Sequence, residues 1–595
     1  MLKKMLLGFA LVLPAAVFAD APPGGKSVFS GPALDTLRFG GQEGAGKAEK
    51  VKVEGQPFQE ALRLSTFQFT PNNNKWDVQV EAALTSPVKA GDMMLAEFWM
   101  RAVQTQGESG EAKSEFVFER LGEPWTKAME YGLSAGHQWR RFSIPFAAVE
   151  DLEAGKSHIS FRMGYGPQVF DLAGLILTNY GTKVKLSDLP QTQATYDGME
   201  ADAPWRQAAA ERIEKIRKGD LVVTVKDSKG DPVPGVHVSV RMKRNAFGFG
   251  TEVAAAELAT GGGENDRYRK EVERLFNRVV FGNDLKWGPW EESASNRGSF
   301  RRQNIEEAMK WLSSRDFDVR GHNLVWGGWN YLPAKIKRLE NDKVALEKAI
   351  EDHIQDEGSV MKGQLVEWDV VNEPVPEHQL TDLLGKEALV TWYKKAKEVD
   401  PKALLFVNDY PAPDDRGHLK GYEDTIKFLL ANGAPLEGIG LQGHVGRMPW
   451  SIPGLIQTLD MLGAHGLPVE ITEYDTQIQD EALDAQFLKD FLTAVFSHPA
   501  ASGFLMWGFW DAAHYQHKAP IFRKDWTEKP SGLAYEQLVL HDWWTNAEGH
   551  TGVDGSYHVR GFCGEYEVTI RAGSKAVTAP AKLKSEGCVL SLVLK

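Results

Sequence analysis

Two glutamates stand where carboxylate chemistry could be done. Glu373 lies in Trp368-Asp369-Val370-Val371-Asn372-Glu373-Pro374 and Glu473 in Val469-Glu470-Ile471-Thr472-Glu473-Tyr474-Asp475, so each follows a short apolar run and falls where a strand should meet its loop. Hydrolysing a glycosidic bond requires a proton for the leaving oxygen and stabilisation of an oxocarbenium-like carbon, and two facing carboxyl groups supply both. A pair about 5 to 5.5 Å apart would imply retention through a covalent glycosyl enzyme, whereas a wider gap would leave room for an attacking water. The sequence leaves that distance open. Taken singly, either glutamate would read as a solvated charge at a strand end.

Such a pair has to be carried by separate elements. Between residues 247 and 545 strand-like runs alternate with amphipathic helices eight times over: 247–253, 278–287, 318–326, 365–374, 403–410, 438–445, 468–475 and 502–511. The intervening segments carry apolar residues at three- and four-residue spacing, as in 268–276, 305–312 and 487–496. Eight βα units in about 300 residues argue for an α/β fold of the closed (β/α)8 TIM barrel type, with an open doubly wound sheet as the alternative. Glu373 and Glu473 then end strands four and seven, on the rim where barrel enzymes place their chemistry.

The flanks read as β structure. Residues 26–185 form short alternating segments separated by Gly, Pro, Asn and Ser, which suggests a jelly-roll β-sandwich; its Trp76, Trp99 and Trp125 look like those of carbohydrate-binding modules, and core packing is the other reading of the same residues. A helical linker over 186–219 follows. Residues 220–246 read as a β-hairpin, Leu221 to Val225 and Gly235 to Met242, around Lys229-Gly230-Asp231. The alternating runs of 546–595 are the natural partners of that hairpin, giving a small flanking sandwich with the barrel inserted between its strands.

Composition bounds the partners. With 68 Lys and Arg against 81 Asp and Glu, a net charge of −13 and no dense basic run, nucleic acid is excluded as a partner. The 18 Trp suit stacking on sugar faces, although core packing accounts for most of them. Residues 1–19 show a basic start at Lys3 and Lys4, an apolar run and a small-residue end, the pattern of a signal peptide; the expectation is an exported protein, secreted or periplasmic, with no membrane attachment after cleavage. Cys563 and Cys588 are the only cysteines, and either one disulfide or two unpaired thiols would fit. No metal-ligand spacing, phosphate loop or nucleotide fingerprint is present, so no metal or cofactor is expected.

At the two glutamates a resemblance becomes specific. The segment from Phe247 to Asp511 resembles family 10 of the glycoside hydrolases, the endo-β-1,4-xylanases of clan A, through five motifs in family order: Arg320-Gly321-His322-Asn323-Leu324-Val325-Trp326, Asp369-Val370-Val371-Asn372-Glu373-Pro374, Asn408-Asp409-Tyr410, Gln442-Gly443-His444 and Ile471-Thr472-Glu473-Tyr474-Asp475. The resemblance implies that Glu373 is the acid/base and Glu473 the nucleophile. It implies that Asn372 bonds the 2-hydroxyl of the sugar being cleaved, that Asn283, Lys286 and His322 grip the glycone hydroxyls, and that Trp326 and Trp507 wall that sugar. Gln442 would also touch substrate, His444 would hold the nucleophile with Asp475 behind it, and Asn408 would support from further out. A monomer acting on xylan without a cofactor is the implied enzyme.

The match has departures. The family commonly has Glu where this chain has Gly282 and Gln where it has Trp329, and the stretch 508–515 differs from the commonest family ending. Two other readings therefore stay open: a clan relative acting on glucan, mannan or cellulose, and a polysaccharide-binding protein that has lost turnover.

Overall fold

A computed structural model describes residues 21–68, 74–106, 109–192, 195–516 and 519–594, so residues 1–19, the segment with the pattern of a signal peptide, lie outside the described residues. The chain divides into two compact units that part near residue 194.

The first unit is a sandwich of two antiparallel sheets. One runs Gly46–Lys52, Glu60–Thr66, Gln168–Asn179, Met93–Thr105, Arg140–Ala147, and the other Arg38–Gly41, Val78–Ala83, Ser157–Arg162, Ala112–Arg120, Lys127–Ala135. The inward members of these alternating strands, among them Phe98, Phe116, Phe161 and Phe170, close a core that excludes water. Trp76 and Trp125 stay outside it, 51% and 43% exposed, with the Arg162 guanidinium beneath the Trp76 ring.

The second unit holds the barrel. Its eight parallel strands are β1 (Gly248–Val253), β2 (Arg278–Phe281), β3 (Asp318–Trp326), β4 (Glu367–Asn372), β5 (Leu404–Asp409), β6 (Gly438–Leu441), β7 (Val469–Thr476) and β8 (Ala501–Met506), and the pairing of β8 with β1 closes the ring. The helices between them bury one stripe each: Tyr268, Val272 and Leu275 within Glu264–Leu275, and Ile305, Met309 and Leu312 within Arg302–Ser313. Four of the helices in this region start at a side-chain cap, as where Asp480 accepts from the Ala482 and Leu483 amides and Ser451 from that of Gly454.

The lower part of the barrel is filled by charge rather than by aliphatic side chains. Arg320, fully buried, donates to both oxygens of Asp369 and to Glu470 at 2.8 Å and lies 3.0 Å from Glu367, while Arg278 pairs with Glu367 and Glu470. Burial and the neighbouring Glu367 charge push the Glu470 carboxyl up, against the pull of Arg278 and Arg320. Glycine supplies the room on adjoining strands, since a Cβ at Gly503 would collide with Glu470 and one at Gly440 with Asn408.

Several elements differ from the sequence reading. β2 stops at Phe281 instead of running to residue 287, because Lys286 N–H turns back to Asn283 O and Trp287 and Trp290 become the buried face of a short helix, Trp287–Ser293. β8 stops at Met506, where Gly508 adopts a φ of 97° that continues no strand. The segment 220–246 is not a hairpin. Apart from a single Lys226–Pro232 bridge, Lys218–Lys226 pairs with Ser556–Phe562 and Cys588–Val593, whereas His237–Asn245 pairs with Asn546–His550 and Gly564–Ala572 in a different sheet. The turn signal is real, with Asp227 accepting from the Lys229 and Asp231 amides, but it carries the chain from one sheet to another. Cys563 and Cys588 are unpaired thiols, each half-buried.

Candidate active site

Glu373 is the first residue beyond β4 and takes a φ of 53°, an uncommon left-handed conformation for a non-glycine. Its N–H donates to Asn408 O at 2.7 Å, which fixes the turn, and the carboxylate is held by three donors. Trp326 Nε1–H reaches Oε2 at 3.0 Å, while the Asn372 and Gln442 amides reach Oε1 at 3.1 and 3.0 Å. Glu473 lies within β7, not at its end, beside a register irregularity between Ile471 and Tyr474 that turns the side chain toward the barrel mouth. Both carboxylates are buried.

Two carboxamides join them. Asn408 Nδ2 donates to Glu473 Oε1 at 2.7 Å and to Asn372 Oδ1 at 2.9 Å, and Asn372 in turn donates to Glu373. Thr472 Oγ1 donates to Asn408 Oδ1 at 2.7 Å, which fixes which end of that amide faces the glutamates. Gln442 spans the same gap from the other side, its backbone O accepting from Glu473 N at 2.8 Å and its side chain donating to Glu373.

The second oxygen of Glu473 lies 3.3 Å from His444 Nε2, and His444 Nδ1 lies 2.9 Å from Asp475 Oδ1. His322 approaches the first oxygen at 3.9 Å and is itself oriented by Asp369 at 2.9 Å, so the charge network in the barrel floor reaches the nucleophile candidate through a single ring. Burial would raise the Glu473 carboxyl, but His322, His444 and Lys286 outweigh it and hold the group at about 2. Glu473 is therefore an anion at neutral pH.

Lys286 Nζ sits 5.0 Å from the Trp326 ring and 5.6 Å from the Trp507 ring and donates to Asn283 Oδ1 at 3.1 Å, which places these four residues along one side of the mouth. Trp507 stands edge-on to His322 and His444. Trp326 has a place beyond the wall inferred from sequence: one ring face stacks on Tyr331 at 3.4 Å while its N–H orients Glu373. All ten inferred residues around the two glutamates thus converge on one rim.

Sequence reasoning missed several members of the site. His514 and Tyr515 approach Asp475 Oδ2 at 3.6 and 3.3 Å, from the stretch whose sequence departs from the expected ending. Glu252, at the end of β1, is pushed up to about 8, by burial first and then by Asp284 and Glu257. Its position two residues past the middle of an apolar strand carried no motif. Among the described residues no group of His, Cys, Asp and Glu is placed to hold a metal ion.

Residues 239–539 match the model of glycosyl hydrolase family 10. The chain belongs to that family. Among curated relatives of this family 10 chain, "Anti-sigma-I factor RsgI6" of Acetivibrio thermocellus is 31% identical over 377 residues, covering 62% of the chain and 47% of that protein. "Endo-1,4-beta-xylanase 1" of Arabidopsis thaliana is 30% identical over 362 residues, covering 60% of the chain and 37% of that protein. The family 10 chain thus spans less than half the length of these two relatives. The solved native xylanase 10B of Thermotoga maritima is 26% identical, with a TM-score of 0.45, over 50% of the chain and 96% of that structure.

Proposed function

We propose that this family 10 protein is an endo-acting β-1,4-xylanase that works with retention, Glu373 serving as acid/base and Glu473 as nucleophile. The observation that carries the reading is the amide bridge: Asn408 and Asn372 tie the two carboxylates together across one mouth, where His322, His444 and Lys286 act on Glu473.

The chemistry follows from that pairing and from the anionic state of Glu473. Glu473, anionic, attacks the anomeric carbon while Glu373 gives its proton to the leaving glycosidic oxygen; a glycosyl ester forms and the aglycone departs. Glu373, now a carboxylate, removes a proton from water, which attacks the same carbon and frees Glu473. Trp326, Gln442 and Asn372 keep the Glu373 carboxyl aimed through both steps. Lys286 and Asn283 meet the glycone hydroxyls, and Trp507 offers the ring face on which that sugar rests.

The names of the plant relatives support xylan as the polymer. The leader at residues 1–19 supports export, and the exposed Trp76 and Trp125 of the sandwich support a module that holds the polymer. Reducing-sugar release from xylan, compared with glucan, mannan and cellulose, tests the substrate. Glu473→Ala should abolish release from xylan and be rescued by azide with inverted product; near-native activity of that variant would overturn the assignment.

A further inference from the structure

The mouth of the barrel contains a carboxyl group that the reaction above leaves unused. Glu252 is the penultimate residue of β1 and is partly exposed at the strand's C-terminal end, on the rim shared with Glu373 and Glu473. Among the described residues no group hydrogen-bonds its carboxyl. Asp284, Glu257, Lys286 and Glu473 all act on it electrostatically, and Tyr268 feels its charge in turn, so it belongs to the group of side chains around Lys286.

The space it occupies is prepared by two glycines. A Cβ added at Gly282, the residue just past β2, would overlap Glu252 Oε1, and one added at Gly508 would lie 3.4 Å from Oε2. Residue 282 directly precedes Asn283 and sits where the sequence lacks an acidic side chain. The volume that a side chain at 282 would enter is therefore filled by an acid from the adjacent strand. A partnered buried acid would be structural; this one faces a site whose neighbours Asn283 and Lys286 are hydroxyl-binding groups.

We propose that Glu252 is a specificity-determining residue of the glycone cleft, its carboxyl group hydrogen-bonding hydroxyls of the second sugar from the cleavage point in place of a side chain at 282. The second sugar is assigned because Glu473, His322 and Trp507 meet the first, whereas Glu252 fills the volume beside Asn283 that a side chain at 282 would enter. Burial first, and then the neighbouring Asp284 and Glu257, raise the acid to about 8, so near neutral pH it is largely protonated and both donates to and accepts from a sugar hydroxyl.

The inference rests on the xylanase reading, and its test separates the two. Initial rates of the full chain are measured on 4-nitrophenyl β-xylobioside and 4-nitrophenyl β-xyloside for wild type, Glu252→Gln, Glu252→Gly and the exchange variant Glu252→Gly/Gly282→Glu. Glu252→Gly should lose at least about tenfold more kcat/KM on the xylobioside than on the xyloside, with the loss mainly in KM, since an unmade hydrogen bond to substrate costs on that order. The exchange variant should recover most of that loss. Equal losses on both substrates, or no recovery, would overturn the inference, because a residue that only supported the fold would not distinguish substrate length. A wild type that hydrolyses neither glycoside would instead overturn the xylanase reading itself.

Discussion

Asn408 donates to Glu473 Oε1 at 2.7 Å across the barrel mouth, although β5 and β7 are separated by β6 and the two residues are 65 positions apart. The same amide nitrogen donates to Asn372, which donates to Glu373, and so the spacing of the two carboxylates is set by two side chains in series. Replacing Asn408 with Asp puts a like charge beside Glu473 and removes the donor. We expect kcat on xylan to fall about a hundredfold and the acid limb of the pH–rate profile to move upward. An unchanged acid limb would show that this amide does not hold the nucleophile.

Gly440 exists to make room for Asn408, and a methyl group there would push the amide off its two acceptors. Gly440→Ala should reduce kcat by about tenfold to a hundredfold, since displacement by an ångström at a catalytic group costs on that order. Thermal unfolding alongside steady-state kinetics would distinguish this from loss of fold.

The Glu473 carboxyl, held at about 2, makes a definite statement about acid stability. Its folded value lies below the ordinary glutamate value of about 4.3, so the stability it contributes is present above that pH and is lost as pH falls toward 2. Urea unfolding at pH 6 and pH 3 should show a larger decline for the wild type than for Glu473→Gln. Equal declines would contradict the depressed value.

Arg320 is the hub of the ion network under the site, and its removal leaves Asp369, Glu367 and Glu470 short of a partner in a dry interior. Arg320→Met should destabilise the barrel by about 3–5 kcal/mol in urea unfolding. Activity should fall as well, because Asp369 orients His322.

Much of this was legible beforehand, for physical reasons that particular residues expose. The two glutamates of the mouth were readable because Asn372-Glu373-Pro374 and Thr472-Glu473-Tyr474 join a polar step to an apolar strand, a juxtaposition that a core strand would not tolerate without purpose. The barrel followed from eight changes of period. The ends of β2 and β8 were not readable, because Trp287 and Phe509 are apolar for the sake of a helix face and a loop contact, and an apolar run does not say which neighbour buries it. The bond from Trp326 to Glu373 was equally hidden: an indole reads as a wall in sequence, and only the position of its N–H reveals a second task. Glu252 escaped notice because its meaning depends on Gly282 being small, a relation between two strands that no single run of residues contains.

The central claim is that Glu473 forms the bond to sugar while Glu373 moves the proton. It is tested most directly by incubating the full chain with 2,4-dinitrophenyl 2-deoxy-2-fluoro-β-xylobioside and mapping the trapped adduct by peptide mass spectrometry. The account predicts one fluoroxylobiosyl group, in ester linkage to Glu473, with loss of activity in step with its formation. An adduct on a different residue, or turnover of the unfluorinated glycoside with inverted anomeric configuration and no adduct, would contradict it.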